Sequence, residues 1–197
     1  MAGEVRLPRR AMAGGFLTFV VQKHKATALH YDFRVEVGGE MPSWSIPKGP
    51  SLDPGVRRLA MPTGPHDIEY RHFEGIIPLE RYGAGVVMIW DQGTYTPEVE
   101  LINGVRKEVN GREEAEETAQ AGLREGMLKF TLYGLKLHGS FALVRTKGLG
   151  GAKEAWLLIK HRDRYCRPGY NINDYDYSAE TGRSLAEIAL EGQNVSG

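Results

Sequence analysis

Cysteine is nearly absent from this chain, which carries one, Cys166, among its 197 residues. A single cysteine excludes a disulfide framework within the chain and leaves any metal site to histidine, aspartate and glutamate side chains. No apolar run approaches the roughly 18 residues of a membrane-spanning helix, and the run at 16–21 is too short for the core of a signal peptide. We therefore expect a cytoplasmic protein that does not engage a membrane.

Several familiar enzyme motifs are missing as well. The sequence contains no GxSxG nucleophile elbow, no Walker A phosphate loop and no HExxH zinc helix. Cys166 stands among arginines at positions 162, 164 and 167, a setting that leaves open a nucleophilic thiol, although a passive thiol is the simpler interpretation. An enzymatic function must therefore rest on a different set of residues.

Net charge is also lacking, because 25 Lys and Arg residues balance 25 Asp and Glu residues. Nucleic-acid-binding proteins usually present a basic surface, so neutrality at first argues against such a partner. The charges are unevenly distributed, however. Residues 1–60 hold nine basic and five acidic side chains, residues 131–168 hold eight and two, and residues 98–125 hold four and eight. One acidic stretch thus cancels two basic regions, and a polyanionic partner stays compatible with the neutral total.

Short runs rich in Val, Ile, Tyr, Phe, Trp and Leu, most of them punctuated by Gly, Pro or Asn, predict eight β-strands. They lie at 16–24, 29–37, 43–46, 58–63, 85–91, 127–133, 140–145 and 155–160. Two helical patterns interrupt them: an acidic, exposed helix at 112–124, and a helix at 184–190 with a capping box formed by Ser184 and Glu187. The pattern favours a mainly β fold, a compact closed or nearly closed antiparallel barrel of about eight strands with one or two short helices. We expect a single domain over 1–197 and a monomer.

The most informative segment is the predicted strand at 29–37. Because side chains alternate along a strand, His30, Asp32 and Arg34 should share one face, opposite an apolar set suited to the core. His24 ends the preceding strand, and a hairpin-like return through 25–29 would bring it beside His30 and Asp32. Two imidazoles and a carboxylate suit a divalent transition metal, with Arg34 placed to hold an anion there. The same spacing is also compatible with an ordinary surface ion pair on a half-solvated strand.

A second cluster follows at GPHDIEYRHFEG, where His66 and Tyr70 lie four residues apart. Histidine is well suited to proton transfer near neutral pH, although a lone His beside Pro65 is equally compatible with a loop residue. Between the two clusters, Lys48 sits in a Pro-Lys-Gly-Pro turn and Arg58 follows soon after. These cations either solvate the surface or line a path for phosphate groups.

These segments closely resemble the 3′-phosphoesterase domain of bacterial DNA ligase D and the free-standing bacterial and archaeal members of that family. The resemblance rests on seven segments in order: QKHKATALHYDFR, SWSIPKGPSLDP, RRLAMPTGPHDIEY, FEGIIP, YGAGVVMIWDQGTY, GMLKFTLYGLKLHGSFALVR and AWLLIKHRD. It covers roughly residues 16–165. It implies a compact β-barrel with a divalent metal, typically manganese, in a polar groove, other divalent transition metals being alternatives.

The resemblance also implies roles for individual residues. By motif position, His24, His30 and Asp32 correspond to the metal ligands, Arg34 and His66 contact the scissile phosphate, and Tyr70 supports the same site. Gln22 and Lys48 fall on polar positions of the matching motifs, and we add Arg58 to these as a predicted substrate contact. Family members process 3′ ends at a primer-template: a phosphodiesterase step removes a terminal ribonucleoside, and a phosphomonoesterase step then leaves a 3′-OH.

Three segments depart from the family pattern. Residues 1–15 form a short arm, which we expect to be flexible, and 103–126 resembles a variable insertion. Gly64 and Pro65 stand where many relatives carry an acidic residue before the histidine, and both the arm and that position are linked to the monoesterase step. The family's ligase and polymerase modules are absent from this sequence, so sealing, synthesis and end binding would fall to separate partner proteins.

Two other functions remain open at this point. One is a metal phosphoesterase of the same fold that acts on small or cyclic nucleotides. The other is a nucleic-acid-binding barrel without catalysis, which would need cations and not a metal triad.

Overall fold

The computed structural model describes residues 16–148 and 154–194 of the chain. The predicted flexible arm at 1–15 lies outside the described residues. Within the described ranges the strands are β1 Leu17–Lys25, β2 Leu29–Val35, β3 Met41–Ile46, β4 Arg57–His66, β5 Gly75–Ile77, β6 Gly85–Glu100, β7 Arg106–Glu108, β8 Met127–Gly134, β9 His138–Lys147 and β10 Glu154–Lys160. The α-helices are α1 Arg112–Glu125 and α2 Leu185–Asn194. Among the described residues, no helix is both long and apolar enough to cross a bilayer.

Eight of the strands close into an antiparallel barrel. The order around it is β1-β2-β3-β4-β10-β9-β8-β6, and β6 pairs back onto β1 to complete the ring. β5 and β7 are short strands that pair with β6 outside this ring. The predicted mainly β barrel is therefore confirmed, and the eight strands predicted from the sequence are the eight strands of the barrel.

The strand β6 is much longer than the predicted 85–91, because a glycine within it does not end the strand. Gly93 lies where β6 pairs with β1 on one side and with β8 on the other. A β-carbon at this position would lie 2.1 Å from the carbonyl oxygen of Tyr133 on β8. The glycine thus permits a close approach of two backbones in the barrel wall and does not form a turn.

The barrel interior is filled by alternate side chains of the strands, as the period of two requires. On β2, Tyr31, Phe33 and Val35 point inward and are buried in the main apolar core. Phe33 stacks on Phe130 at 5.9 Å between ring centroids, and Phe130 stacks in turn on Phe141 at 6.2 Å. This rigid core fixes the outward face of the same strand, which carries the polar residues of interest.

Both predicted helices are present, at 112–125 and 185–194. α1 buries Ala115 and Ala119 against the barrel and leaves most of its acidic residues exposed. Before α2, Ser184 and Glu187 form the predicted capping box, since the Glu187 amide donates to Ser184 Oγ and the Ser184 amide donates to Glu187 Oε2. The stretch 103–126 contains β7 and all of α1, and its status as a variable insertion stays a prediction.

Candidate metal centre and active site

The first hairpin brings the two predicted histidines together. β1 and β2 pair so that His24 lies opposite His30 and Gln22 lies opposite Asp32. The imidazole centroids of His24 and His30 are 4.8 Å apart. The ligand atoms of His24, His30 and Asp32 all lie within 4.8 Å of one another. The predicted alternation and the predicted return through 25–29 together account for this cluster.

The donor set of this cluster fits a divalent cation. His24 is buried, and its Nε2 atom has no hydrogen-bond partner among the described residues. A buried polar atom without a partner is destabilising, and a bound cation would satisfy it. The Nδ1 of His30 lies 3.0 Å from the carbonyl oxygen of Ala28, which can only accept, so Nδ1 carries the proton and Nε2 presents its lone pair to the cluster. His24, His30 and Asp32 could therefore hold a transition metal.

The carboxylate of Asp32 is negatively charged at neutral pH. Burial opposes ionisation, but the neighbouring His24 imidazole and the charges of Arg34 and His30 outweigh it, and they lower the pKa of Asp32. Asp32 Oδ2 lies 3.7 Å from His24 Nδ1, and Oδ1 lies 3.6 Å from His30 Nε2. These contacts make Asp32 the anionic member of the cluster.

Arg34 connects this cluster to the second one. Its Nη2 donates to Asp32 Oδ2 at 3.0 Å, its Nε donates to Gln22 Oε1 at 2.7 Å, and its Nη1 lies 3.0 Å from His66 Nδ1. The guanidinium is buried, with 3% of the residue exposed. Because Arg34 carries five N–H groups and three serve these contacts, two remain for a further ligand.

The contact with Arg34 fixes the protonation of His66. A guanidinium can only donate, so Nδ1 of His66 accepts and the proton of the neutral ring sits on Nε2. Burial, together with the positive charge of Arg34, lowers the pKa of His66. His66 is therefore a neutral hydrogen-bond donor at physiological pH.

Ser43 is a second neighbour of His66, and the sequence motifs did not indicate it. Its Oγ lies 3.4 Å from the same Nδ1 atom. The alternation of side chains along β3 places Ser43 on the outward face of that strand, and this is the sequence feature that could have indicated it.

Tyr70 lies on a 3-10 helix, Ile68–His72, that begins just after His66. The side chain of Asp67 accepts from the Glu69 amide and caps this helix. The ring of Tyr70 packs against the ring of His66 at 5.0 Å, and the guanidinium of Arg34 lies 5.2 Å from its centre. The two clusters that are separate in the sequence thus form one site.

Gln22 was predicted to contact substrate, and the structure places it behind the site. Its side chain is fully buried, and its amide nitrogen donates to the carbonyl oxygens of Tyr70 and Phe73 at 3.0 and 2.9 Å. Its oxygen accepts from Arg34. Gln22 therefore ties Arg34 on β2 to the 3-10 helix that carries Tyr70, and its contact with substrate stays a prediction.

The two remaining predicted contacts lie apart from this network. Lys48 is exposed in the turn after β3. Arg58 lies on β4 in the same alternating set as the buried Ala60, and it pairs with Leu158 of β10. The described residues show no hydrogen bond from either side chain to the residues of the site. Their role in binding substrate stays a prediction.

Glu36 follows β2 on the same outward face but belongs to a different cluster. Its carboxylate accepts hydrogen bonds from Thr18 and pairs with Arg112 of α1. These contacts attach the helix to the barrel, and no metal ligand takes part in them. The candidate site therefore ends at Arg34 along this strand.

Comparison with known proteins identifies relatives for most of the chain. The DNA ligase D 3′-phosphoesterase domain matches residues 22–145. The multifunctional non-homologous end joining protein LigD of Pseudomonas aeruginosa is 43% identical over 162 residues, which cover 82% of this chain and 17% of that protein. The multifunctional non-homologous end joining DNA repair protein LigD of Mycobacterium tuberculosis is 37% identical over 189 residues, which cover 93% of this chain and 22% of that protein. The chain thus spans about one fifth of the length of these relatives.

Proposed function

Because the chain belongs to the DNA ligase D 3′-phosphoesterase domain family, a family of hydrolases, we propose that it is a metal-dependent phosphoesterase that repairs the 3′ ends of DNA or of mixed RNA–DNA strands. One observation carries the proposal: the Asp32 carboxylate lies between two histidines and an arginine whose remaining donors can hold a phosphate. The names of the relatives support a role in DNA repair and end joining.

The substrate we propose is a 3′ terminus at a primer-template. In the diesterase step, water attacks the phosphodiester next to a terminal ribonucleoside, the nucleoside leaves, and a 3′-phosphate remains. In the monoesterase step, a second water releases that phosphate and leaves a 3′-OH. His24, His30 and Asp32 would hold a divalent transition metal such as manganese, which supplies charge neutralisation at a phosphate oxygen.

Arg34 would bind the phosphate from another side of the site. Its two uncommitted N–H groups, one on each terminal nitrogen, would donate to phosphate oxygens, and its other contacts hold the guanidinium in place before substrate arrives. Negative charge grows on these oxygens as the attack proceeds, so a fixed cation stabilises the transition state more than the ground state.

His66 would donate a hydrogen bond from Nε2 to the phosphate. Since its pKa is lowered and its Nδ1 accepts from Arg34, the ring is neutral at physiological pH. A neutral imidazole is a good hydrogen-bond donor but a poor acid, so this arrangement favours phosphate binding over protonation of the leaving oxygen. Tyr70 would hold the ring of His66 in this orientation through their packing.

The proposal is tested with a labelled primer-template that ends in one ribonucleotide, incubated with the protein and each of several divalent metals. We expect that, only with metal, the primer loses its terminal ribonucleoside to leave a 3′-phosphate, and that this 3′-phosphate is then converted to a 3′-OH. Free nucleotides and 2′,3′-cyclic nucleotides are assayed in parallel. If only those small nucleotides are hydrolysed, the substrate is a small nucleotide and not a 3′ terminus. If the protein binds the primer-template but leaves its 3′ terminus unchanged, it is a noncatalytic nucleic-acid-binding barrel.

A further inference from the structure

The loop before β6 passes close to His24, one of the three residues of the metal-ligand cluster. Two turns shape it, in which the Arg81 amide donates to the Pro78 carbonyl and the Ala84 amide donates to the Arg81 carbonyl. A β-carbon at Gly83 would lie 3.9 Å from Cε1 of His24. One at Gly85 would lie 2.2 Å from the carbonyl oxygen of Lys25, so only glycine permits the approach there. The loop backbone is therefore held against the end of β1.

Tyr82 precedes Gly83 in this loop and is fully exposed, at 105% of its reference accessibility. Consecutive Cα atoms are about 3.8 Å apart, so the Tyr82 backbone is one residue from Gly83, the position whose β-carbon would lie 3.9 Å from the His24 ring. A tyrosine here gains nothing from burial in the protein itself. Its aromatic ring is instead fully exposed to solvent, one residue before Gly83.

Two cations adjoin this loop in the chain: Arg81 directly precedes Tyr82, and Lys25 ends β1, where its carbonyl oxygen lies against Gly85. Lys25 and Arg81 are both exposed, and neither forms an ion pair within the described part of the chain, although Glu80 lies next to Arg81 in the sequence. An exposed aromatic side chain accompanied by cations is an arrangement by which proteins bind single-stranded nucleic acid, since bases stack on the ring and phosphates approach the charges. It is not an arrangement that an isolated phosphate would require.

We infer that Tyr82 is a stacking surface for the base of the 3′-terminal nucleoside, the group that the diesterase step removes. This inference rests on the proposed function and names a subsite of the same site. The phosphate is held on the side of Arg34 and His66, and the terminal base extends toward the loop that passes close to His24. Stacking is tolerant of base identity, so the subsite would accept any of the four bases.

The test compares two primer-templates, one with an intact 3′-terminal ribonucleotide and one with the terminal base removed. For Tyr82→Ala we expect KM to rise about tenfold on the intact substrate with kcat unchanged, and no rise on the abasic one. Tyr82→Trp should have the same KM as the unaltered protein on the intact substrate, because tryptophan also offers an aromatic face. Leu79→Ala is the matched control, because Leu79 is 89% exposed in the same loop but has no aromatic face.

The outcomes separate this inference from the function on which it rests. If the unaltered protein processes the intact substrate and Tyr82→Ala does so with the same KM, stacking is excluded and the proposed function stands. An equal rise on both substrates excludes it too, since the contact would then be with the sugar or phosphate. If the unaltered protein processes neither substrate, the proposed function fails and this subsite fails with it.

Discussion

The guanidinium of Arg34 donates from Nη2 to the carboxylate of Asp32 at 3.0 Å, and both side chains are almost completely buried. They lie two residues apart on one strand, so the alternation of β2 places both on the same face. The contact joins the residue with the negative charge of the proposed metal cluster to the residue that would bind phosphate. Most of the following predictions depend on how the surrounding structure fixes this pair.

Arg34→Lys should lower kcat/KM for 3′-end processing by about 100-fold or more. A lysine keeps the charge but cannot contact Asp32, Gln22 and His66 at once in the planar geometry that the guanidinium provides. Steady-state kinetics on the ribonucleotide-terminated primer-template measures the effect. The matched control is Arg71→Lys, because Arg71 contacts Thr18 beyond the metal-ligand cluster. Equal activity in the two variants would contradict the role of the three simultaneous guanidinium contacts.

Gln22→Leu should reduce kcat by about 100-fold while KM changes little, because the buried Gln22 side chain holds the guanidinium of Arg34 from behind the site. The leucine removes the hydrogen bonds to the Tyr70 and Phe73 carbonyls; the Tyr70 carbonyl keeps the Phe73 amide as a donor, whereas the Phe73 carbonyl loses the Gln22 side chain as its donor. The control is Gln92→Leu, since Gln92 contacts Glu180 at the surface. A change in KM alone would instead favour the direct substrate contact that the sequence predicted for Gln22.

The sequence predicted much of the site because β2 obeys a simple period. His30, Asp32 and Arg34 alternate with an apolar set, so their common face follows from the local order of residues along one strand. The burial of Gln22 was not predictable in the same way, because it depends on carbonyl groups about 50 residues later in the chain. The barrel's closure by β6 and β1 is likewise a long-range contact, and the predicted strand at 85–91 stops short of Gly93, whose pairing with β1 and β8 depends on distant strands.

Asp91→Asn should lower the free energy of unfolding by about 2–4 kcal/mol. The buried carboxylate of Asp91 accepts from the amides of Leu135, Lys136 and Leu137, and so holds the turn between β8 and β9. An asparagine has one acceptor oxygen and would turn its NH₂ group toward at least one of these donors. Urea unfolding measures the loss. The exposed Asp174→Asn serves as control, and equal stability of the two variants would contradict this account.

Stability should fall as the pH is lowered from about 6.5 to about 4, with His161 as one cause. Burial, together with the positive charges of Arg106, Lys129 and Lys160, lowers the pKa of His161 to about 4. In this window the unfolded chain binds a proton at His161 and the folded chain does not, so acid favours unfolding. Since the side chain is partly exposed, the slope should stay well below the limit of about 1.4 kcal/mol per pH unit for one proton.

Urea unfolding of the unaltered protein and of His161→Gln at several pH values isolates this contribution. The glutamine does not titrate, so the stability of the variant should depend less steeply on pH between 6.5 and 4. His66 and His138, whose pKa values are also lowered by burial, titrate in both proteins and cancel in the comparison. If the free energy of unfolding depends equally steeply on pH in the two proteins, His161 does not contribute to the loss of stability in acid.

The metal cluster is the centre of the account, and one measurement tests it most directly. The protein, freed of metal by chelation, is incubated with the ribonucleotide-terminated primer-template, with or without added manganese, alongside Asp32→Asn and the exposed-site control Asp174→Asn. We predict that the unaltered protein and the control yield 3′-processed product with manganese and none without it. Asp32→Asn should be folded, by circular dichroism, yet yield none in either condition. Normal turnover by Asp32→Asn, or by the unaltered protein without metal, would contradict the account.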